Sequence, residues 1–361
     1  MLRPPMKIVL AALMLATAAR ASSISNEVAV ARSQTSPDSP RTGNLSDTLI
    51  GSVDLSDKLN LVLGATLTLE GTTPADQAGQ FGSSASAIPL FTFGLDYDFN
   101  DHFTTGLTFD FSPKSVQHSG TEVTVAVVNG RETIAPALLR SESQESSGTL
   151  DFGYDTAGDS DLEFSFVGGI SVTRFETTQN VEAIRTATGA IADDTQLRTY
   201  CQTHVCSRPL LAALRKQPAV LASQRYSLAV TATFSQDTDV TLGGDAYHYN
   251  QDPAAIGYYS VALAGRSTIT GGAGIPIAPL QWLVRPEFAH RFGDLSVRIW
   301  LQRGQYVKGM GQDTSGGGVR VQYRFTEAWK GWVTLSGQRD FDETGTTLNS
   351  GAAAVGGAYQ F

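Results

Sequence analysis

Apolar and polar residues alternate with a period of two along most of the chain beyond residue 58. In 318–325, the side chains of Val319 and Val321 fall on one face of an extended strand, and Arg320 falls on the other. The same alternation recurs at 59–70, 90–99, 225–234 and 295–302. A period of two is typical of β-strands whose two faces meet different surroundings. The sequence therefore predicts an all-β protein.

About 14 candidate strands can be placed, and the connections that join them alternate between short and long. The candidate strands lie at 58–70, 88–99, 102–112, 146–155, 161–175, 225–235, 238–249, 257–264, 267–276, 281–291, 294–304, 315–325, 329–339 and 350–361. The short connections lie at 100–101, 156–160, 236–238, 265–267, 293 and 326–328. The long ones lie at 71–87, 113–145, 176–224, 250–256, 305–314 and 340–349. This alternation predicts a transmembrane antiparallel up-and-down β-barrel with short periplasmic turns at one end and long extracellular loops at the other.

Two segments leave the number of strands open. The stretch 267–276 is a poor strand because it is rich in glycine, so a barrel of about 12 strands is the alternative. The stretch 48–56 looks strand-like, but adding it would make the number odd. Single-chain bacterial barrels have an even number of strands.

The apolar strand faces could be buried in a soluble β-sandwich or turned to lipid in a transmembrane barrel. The candidate strands are about ten residues long, as a tilted membrane strand requires. Aromatic residues end the apolar faces beside the short turns, as in the interfacial girdles of membrane barrels. They are Phe99, Phe103, Phe234, Phe292, Phe325 and Trp329. The transmembrane barrel is therefore favoured over the sandwich.

The first 21 residues have the pattern of a Sec-type signal peptide. The basic start MLRPPMK precedes the apolar run 8–19, and Ala-Arg-Ala at 19–21 fits a small-x-small cleavage site. The apolar run is too short to cross a membrane. Residues 22–47 are rich in serine, proline and asparagine and predict a flexible periplasmic leader. The barrel is then expected within 48–361.

The chain ends in GAAAVGGAYQF, an alternating strand that closes on Tyr359 and Phe361. With the signal peptide and the alternating strands before it, this ending resembles the C-terminal insertion signal of Gram-negative outer-membrane β-barrel proteins, a porin-like superfamily. The resemblance implies an outer-membrane location. It also implies two partners, the outer-membrane bilayer and the barrel-assembly machinery that reads Tyr359 and Phe361. No narrower family is indicated.

Composition and motifs exclude several other functions. The chain of 361 residues has a formal net charge of −9, and an acidic balance argues against a nucleic-acid surface. Phosphate loops and cofactor motifs are absent from the sequence, so no cofactor is expected. Among the histidines, His248 lies near Asp245, but no histidine sits in a nucleophile motif. The sequence therefore does not predict an enzyme.

The polar strand faces would line the lumen, and their charges differ between early and late strands. The predicted acidic wall comprises Asp96, Asp98, Asp110, Asp151, Glu163 and Asp245. The predicted basic wall comprises Arg285, Arg291, Arg298, Arg320 and Arg324. Because early and late strands lie on opposite sides of a closed barrel, we expect a field across the lumen that orients dipolar solutes. This resembles the charge segregation of general porins; ion pairs that rigidify a plugged barrel are the alternative.

The connection 176–224 is too long for a plain loop. It contains Cys201 and Cys206, and outside the cytoplasm so close a pair is expected to form a disulfide. A metal site of Cys201, His204 and Cys206 is the weaker alternative because it lacks a fourth ligand, so no metal is predicted. The stretch 208–217 has a helical pattern. It could form a constriction inside the lumen or an external lid.

These patterns predict an outer-membrane channel, porin-like, for small polar or charged solutes. A polysaccharide or anion exporter is a variant in which the basic wall leads polyanions. A closed structural or adhesion barrel that acts through the loops 113–145 and 176–224 is the alternative from a different class.

Overall fold

The structure is a computed structural model that describes residues 23–34, 41–73, 84–128, 131–156, 162–185, 191–206, 211, 214, 218–234, 236–253, 279–309, 311–341 and 347–360. The strands are β1 (Ser23–Gln34), β2 (Arg41–Ser56), β3 (Leu59–Thr73), β4 (Ser84–Asp98), β5 (Phe103–Val128), β6 (Arg131–Asp155), β7 (Leu162–Arg185), β8 (Ile191–Asp193), β9 (Pro218–Phe234), β10 (Thr238–Tyr249), β11 (Leu280–Phe292), β12 (Leu295–Tyr306), β13 (Asp313–Arg324), β14 (Trp329–Phe341) and β15 (Thr347–Gln360). Within the described residues, helix α1 (Asp194–Thr203) lies between β8 and β9, and Leu211 and Leu214 are also helical.

The long strands close into a single barrel. Each pairs antiparallel with the next long strand along the chain, β7 pairs with β9, and β1 pairs with β15 to close the ring. The barrel has 14 strands, and the short β8 pairs with the far end of β7. Sequence alternation thus predicted the fold class and the strand number correctly.

The predicted leader and two of the predicted strands differ from the structure. The prediction of a flexible leader at 22–47 is wrong, because β1 and the first part of β2 lie in this range. The predicted strands 257–264 and 267–276 lie outside the described residues, and β10 pairs directly with β11. In β1, Val28 and Val30 are exposed on the outer face. The small polar residues around them are equally typical of a linker, which explains the wrong prediction.

The outer face of the barrel is apolar and exposed. Leu228, Leu301 and Phe325 expose 60%, 63% and 66% of their surface. Leu228 and Leu301 belong to strands on which apolar outward residues alternate with polar inward ones, and Phe325 directly follows such a strand. Apolar surface of this extent is rare on soluble proteins and is typical of strands that face lipid.

Short turns gather at one end of the barrel, here called the turn end. They connect β2 to β3, β4 to β5, β6 to β7, β9 to β10, β11 to β12 and β13 to β14. In the β4–β5 turn, Asn100 Oδ1 accepts hydrogen bonds from the backbone N–H groups of His102 and Phe103, both at 2.9 Å. In the β11–β12 turn, Gly293 adopts a φ of 63°, which glycine tolerates without steric cost.

A belt of aromatic rings surrounds the turn end. The ring centroids of Phe99 and Phe103 lie 5.2 Å apart, and those of Trp329 and Tyr359 lie 4.7 Å apart. The predicted girdle is therefore formed by rings from neighbouring strands. Phe361 lies outside the described residues, as does the predicted signal peptide 1–21.

At the opposite end, here called the loop end, β5, β6 and β7 extend far beyond the other strands. β5 has 26 residues and β6 has 25, and their pairing continues from Phe103–Tyr154 to Val128–Arg131. A tilted strand needs only about ten residues to cross a membrane. Residues 113–145, predicted as a long connection, thus extend the two strands as a projecting hairpin. No helix in the described part of the chain is long and apolar enough to span a membrane.

Candidate functional site

The inward-facing side chains of β4 to β7 make one side of the lumen acidic. They include Asp96, Asp98, Asp110, Asp151 and Glu163. Asp110 accepts hydrogen bonds from Thr92 Oγ1 at 2.6 Å and from Ser147 Oγ at 3.3 Å. The inward positions described at 88–112 and 143–155 include no lysine or arginine. Negative charge on this side is therefore not neutralised by bases on the same strands.

The five predicted basic residues lie on inward faces of β11, β12 and β13. Arg298 and Arg320 are direct partners across β12 and β13, an arrangement in which like charges repel. Arg298 Nε lies 3.1 Å from Glu287 Oε1, which offsets part of this repulsion. At the turn end, Arg324 Nη2 lies 2.9 Å from Asp294 Oδ1. Arg285 and Arg291 complete the set.

Asp245 does not join the acidic side. It lies on β10, which pairs with β9 on one side and β11 on the other. Its Oδ1 is 4.0 Å from Nε of Arg225 on β9. We therefore reassign Asp245 from the predicted acidic wall to a region of mixed charge. Position along the sequence did not reveal which strands would flank β10.

Two tryptophans lie flat on the inner wall beside the arginines. Trp300 and Trp332 face inward but are only 6% and 8% exposed. Glycines on neighbouring strands make room for the rings, since a Cβ on Gly318 would collide with Trp300 and one on Gly356 would collide with Trp332. Arg320 Cζ lies 4.3 Å from the Trp332 ring centroid, within the range of a cation–π contact. The rings therefore keep out of the centre of the lumen and hold Arg320 against the wall.

A buried polar network lies on the inner wall near the loop end. Tyr306 Oη donates a hydrogen bond to Asp340 Oδ1 at 2.7 Å. Gln338 Nε2 donates to the same carboxylate at 2.8 Å, and Gln302 Nε2 donates to Gln338 Oε1 at 3.2 Å. Asp340 has no exposed surface. This network was not predicted from the sequence. The alternation at 295–302 and 329–339 was the available signal that polar side chains would meet on this face.

The connection between β7 and β9 is ordered around α1. The helix begins with a capping box, in which Asp193 Oδ1 accepts from the backbone N–H of Gln196 at 2.8 Å and Gln196 Oε1 accepts from that of Asp193 at 3.2 Å. Cys201 and Cys206 form the predicted disulfide. Arg198 donates a hydrogen bond to the backbone carbonyl of Leu214. These contacts are local, so a short helix can hold its shape here.

This ordered segment packs on the inner face of the projecting β6–β7 wall. The shared buried cluster comprises Ala135, Val181, Ile184, Leu197 and Leu214. Val181 pairs with Leu139 on β6. The register shifts along β6 come from extra residues on β5 and β7, so the alternation of β6 itself is unbroken as far as Asp151, which faces inward. Ala135 of the cluster and Asp151 are both odd-numbered and share one face of β6. The segment therefore lies on the lumen side, above the loop end of the barrel.

The metal and enzyme alternatives find no support in the geometry of their residues. Cys201 and Cys206 are bonded to each other, and the His204 ring stacks on Tyr200 at 4.1 Å. The described residues contain no group of three or more potential metal ligands. His248 and Asp245 lie an odd number of positions apart on β10, so they face opposite sides of the wall.

Comparison with known proteins identifies the fold. No protein-family profile matches the chain, and no curated protein matches it in sequence. Three matching solved structures are a TodX mutant described as a monoaromatic hydrocarbon channel, the CymD monoaromatic hydrocarbon channel and a Pseudomonas aeruginosa FadL homologue. Their TM-scores are 0.51, 0.50 and 0.45, each at 10% sequence identity. They cover 94%, 97% and 94% of this chain and 89%, 92% and 88% of their own. The fold is thus that of outer-membrane β-barrel proteins, as the sequence resemblance implied.

Proposed function

We propose that this protein is an outer-membrane channel that passes small polar or charged solutes through its lumen. The observation that supports this most directly is the arrangement of charge. Carboxylates on β4 to β7 face arginines on β11 to β13 across the ring, and the inward ion pairs Arg225–Asp245 and Arg298–Glu287 each join neighbouring strands. Barrels of this size fall between the filled 8-stranded and the open 16-stranded types.

The charged lumen favours polar solutes over hydrocarbons. The two neighbours with the highest TM-scores quoted above are described as monoaromatic hydrocarbon channels, but a likeness at 10% identity extends to the fold alone. A route for hydrocarbons needs an apolar lining, because transfer from water to apolar surface is what binds such a solute. Here Arg298 and Arg320 lie on the lumen wall, and the apolar faces of Trp300 and Trp332 are largely covered.

A closed barrel that acts through its loops is the second candidate. The observation that favours it is the α1 segment, which lies over the lumen side at the loop end. If that segment blocks the lumen completely, the projecting β5–β6 hairpin becomes the main exposed surface for a partner. An exporter of polyanions remains a variant of the channel, with the arginines of β11 to β13 as its route.

Single-channel current in a planar bilayer distinguishes these candidates. We expect discrete conductance steps from the refolded mature protein, and a larger conductance after dithiothreitol reduces the Cys201–Cys206 disulfide. Such a short disulfide-closed loop is stabilised by about 2 kcal/mol, so reduction loosens the α1 segment without unfolding the barrel. A folded barrel that passes no current with or without reductant would establish the closed form. A Cys201→Ser, Cys206→Ser variant that ignores dithiothreitol is the control.

Deleting Phe361 should lower the amount of folded barrel in the outer membrane and leave export to the periplasm intact. The expected cause is loss of the terminal aromatic that the assembly machinery reads. Tyr359 would remain packed 4.7 Å from Trp329. The measurement is the heat-modifiable band of the outer-membrane fraction, with Gln360→Ala as control. Equal amounts from the deletion and the wild type would show that Phe361 is not part of the insertion signal.

A further inference from the structure

The outer face of β11 to β15 carries a groove close to the loop end. Two hydrogen-bonded rows of outward residues form it. The row nearer the loop end contains Val284, Arg303, Ser315, Arg339 and Asn349. The row beneath contains Leu301, Gly317, Gly337 and Gly351. The groove has a volume of about 730 Å³.

Gly337 lines the floor of this groove, and a glycine flanks it on each neighbouring strand. Gly317, Gly337 and Gly351 are direct neighbours across β13, β14 and β15, so the wall there has no outward side chain. Farther from the loop end, the outward positions of the same strands carry valine, leucine and alanine. The floor is therefore a shallow channel that continues an apolar band, which is the shape that a single acyl chain fills.

The rim of the groove is basic. Arg303 exposes 73% of its side chain and lies 4.0 Å from Asp313 at its nearest nitrogen. Arg339 Cζ lies 4.9 Å above the Phe341 ring, which orients the guanidinium and leaves its N–H edge available. The two residues lie on β12 and β14, two strand spacings or roughly 10 Å apart. Ser315, on the strand between them, adds a hydroxyl.

We propose that the groove binds a phosphorylated glycolipid of the outer leaflet. One acyl chain lies on the glycine floor, phosphate groups contact Arg303 and Arg339, and the sugar bonds to Ser315 and Asn349. Charge on a lipid-facing wall is unfavourable unless it is compensated. Asp313 supplies one carboxylate to the two arginines, at 4.0 Å from Arg303, and phosphates at the headgroup level supply further negative charge. The proposal rests on the outer-membrane location proposed above, and it adds a lipid site on the outside of the barrel.

The test is native mass spectrometry of the refolded barrel in neutral detergent, titrated with lipid A. We expect the double variant Arg303→Gln, Arg339→Gln to bind roughly 30-fold more weakly than the wild type, from the usual contribution of an arginine beside an anionic lipid. Gly337→Leu should also weaken binding, because it fills the floor. A Cβ at Gly337 meets nothing closer than a carbonyl oxygen at 3.9 Å, so this variant can fold normally.

Two matched controls isolate the groove. Arg174 is an exposed arginine on β7, and Arg174→Gln removes the same charge elsewhere. Gly148 is an outward glycine of β6 with open space above it, and Gly148→Leu adds the same side chain elsewhere. Both controls should bind lipid A as the wild type does. Equal binding by all variants would overturn the proposal. So would equal affinity for phosphatidylglycerol, since that result would mean a general attraction of anionic lipid.

Binding in detergent is independent of conduction. A barrel that carries no current but loses lipid A on the groove substitutions would disprove the channel and support the lipid site. A selective channel whose groove variants bind lipid A as tightly as the wild type would support the channel and disprove the lipid site.

Discussion

Replacing Arg298 and Arg320 together with glutamate should turn the channel toward cations. Both side chains face the lumen as direct partners across β12 and β13. Each substitution exchanges a positive charge on the lumen wall for a negative one. Because charges that line a low-dielectric cleft create potentials of several kT, the permeability ratio of cation to anion should rise by roughly tenfold. The reversal potential in a salt gradient across a planar bilayer measures this ratio.

The matched control places the same charge change on the outside. Arg303→Glu with Arg339→Glu alters two arginines, on β12 and β14, that face away from the lumen. In a bilayer of neutral lipid this pair should leave the reversal potential where it is in the wild type. If the inward pair also leaves it unchanged, ions do not pass along the β12–β13 wall, and the proposed route is wrong.

Replacing Leu197 with aspartate should release the α1 segment from the inner wall and raise the conductance. Leu197 is 3% exposed and packs with Val181, Ile184 and Leu214. Burying a carboxylate there without a partner costs several kcal/mol. Local elements at the edge of a fold are held by a few kcal/mol or less, so the segment should undock. The barrel strands below it should remain folded.

Thr199→Asp provides the comparison for this variant. Thr199 lies on the exposed side of the same helix, so the added charge is equal but stays in water. Conductance steps should be larger for Leu197→Asp and unchanged for Thr199→Asp. Trypsin cleavage after Arg198 should accelerate in parallel for Leu197→Asp alone. Faster cleavage without a larger conductance would mean that the segment packs beside the route of the ions and does not narrow it.

Alternation was sufficient to predict the barrel because lipid and water make opposite demands on successive residues of a strand. The same rule placed the side chains of Asp96 and Arg320 on the polar faces. It failed at β1, where Ala29, Ala31 and Ser33 resemble a linker, since small residues satisfy a strand and a disordered segment equally well. A strand of a closed barrel needs little hydrophobicity when its neighbours supply every backbone hydrogen bond.

Contacts between strands were beyond sequence reasoning. The alternation at 295–302 places Trp300 on the polar face, but its position over Gly318 depends on the β12–β13 register. Asp245 was grouped with the acids because it lies on an early strand, but Arg225 on the neighbouring strand is 4.0 Å away. The docking of Leu197 required knowing that β6 and β7 continue past the membrane. Each of these depends on long-range pairing, for which a single sequence carries no signal.

The closing pair of strands has a consequence for assembly. The β1–β15 ladder joins residues such as Ala31 with Ala354 and Ala29 with Gly356, so its partners are nearly as far apart in sequence as the chain allows. Pairings between residues far apart in sequence form late. The small side chains of the β1–β15 ladder also make few contacts that could speed its formation. Until β15 (Thr347–Gln360) arrives, the sheet has two unpaired edges that can join other chains. The pairing of β15 with β1 therefore decides whether the wall becomes a closed cylinder or an aggregation-prone open sheet.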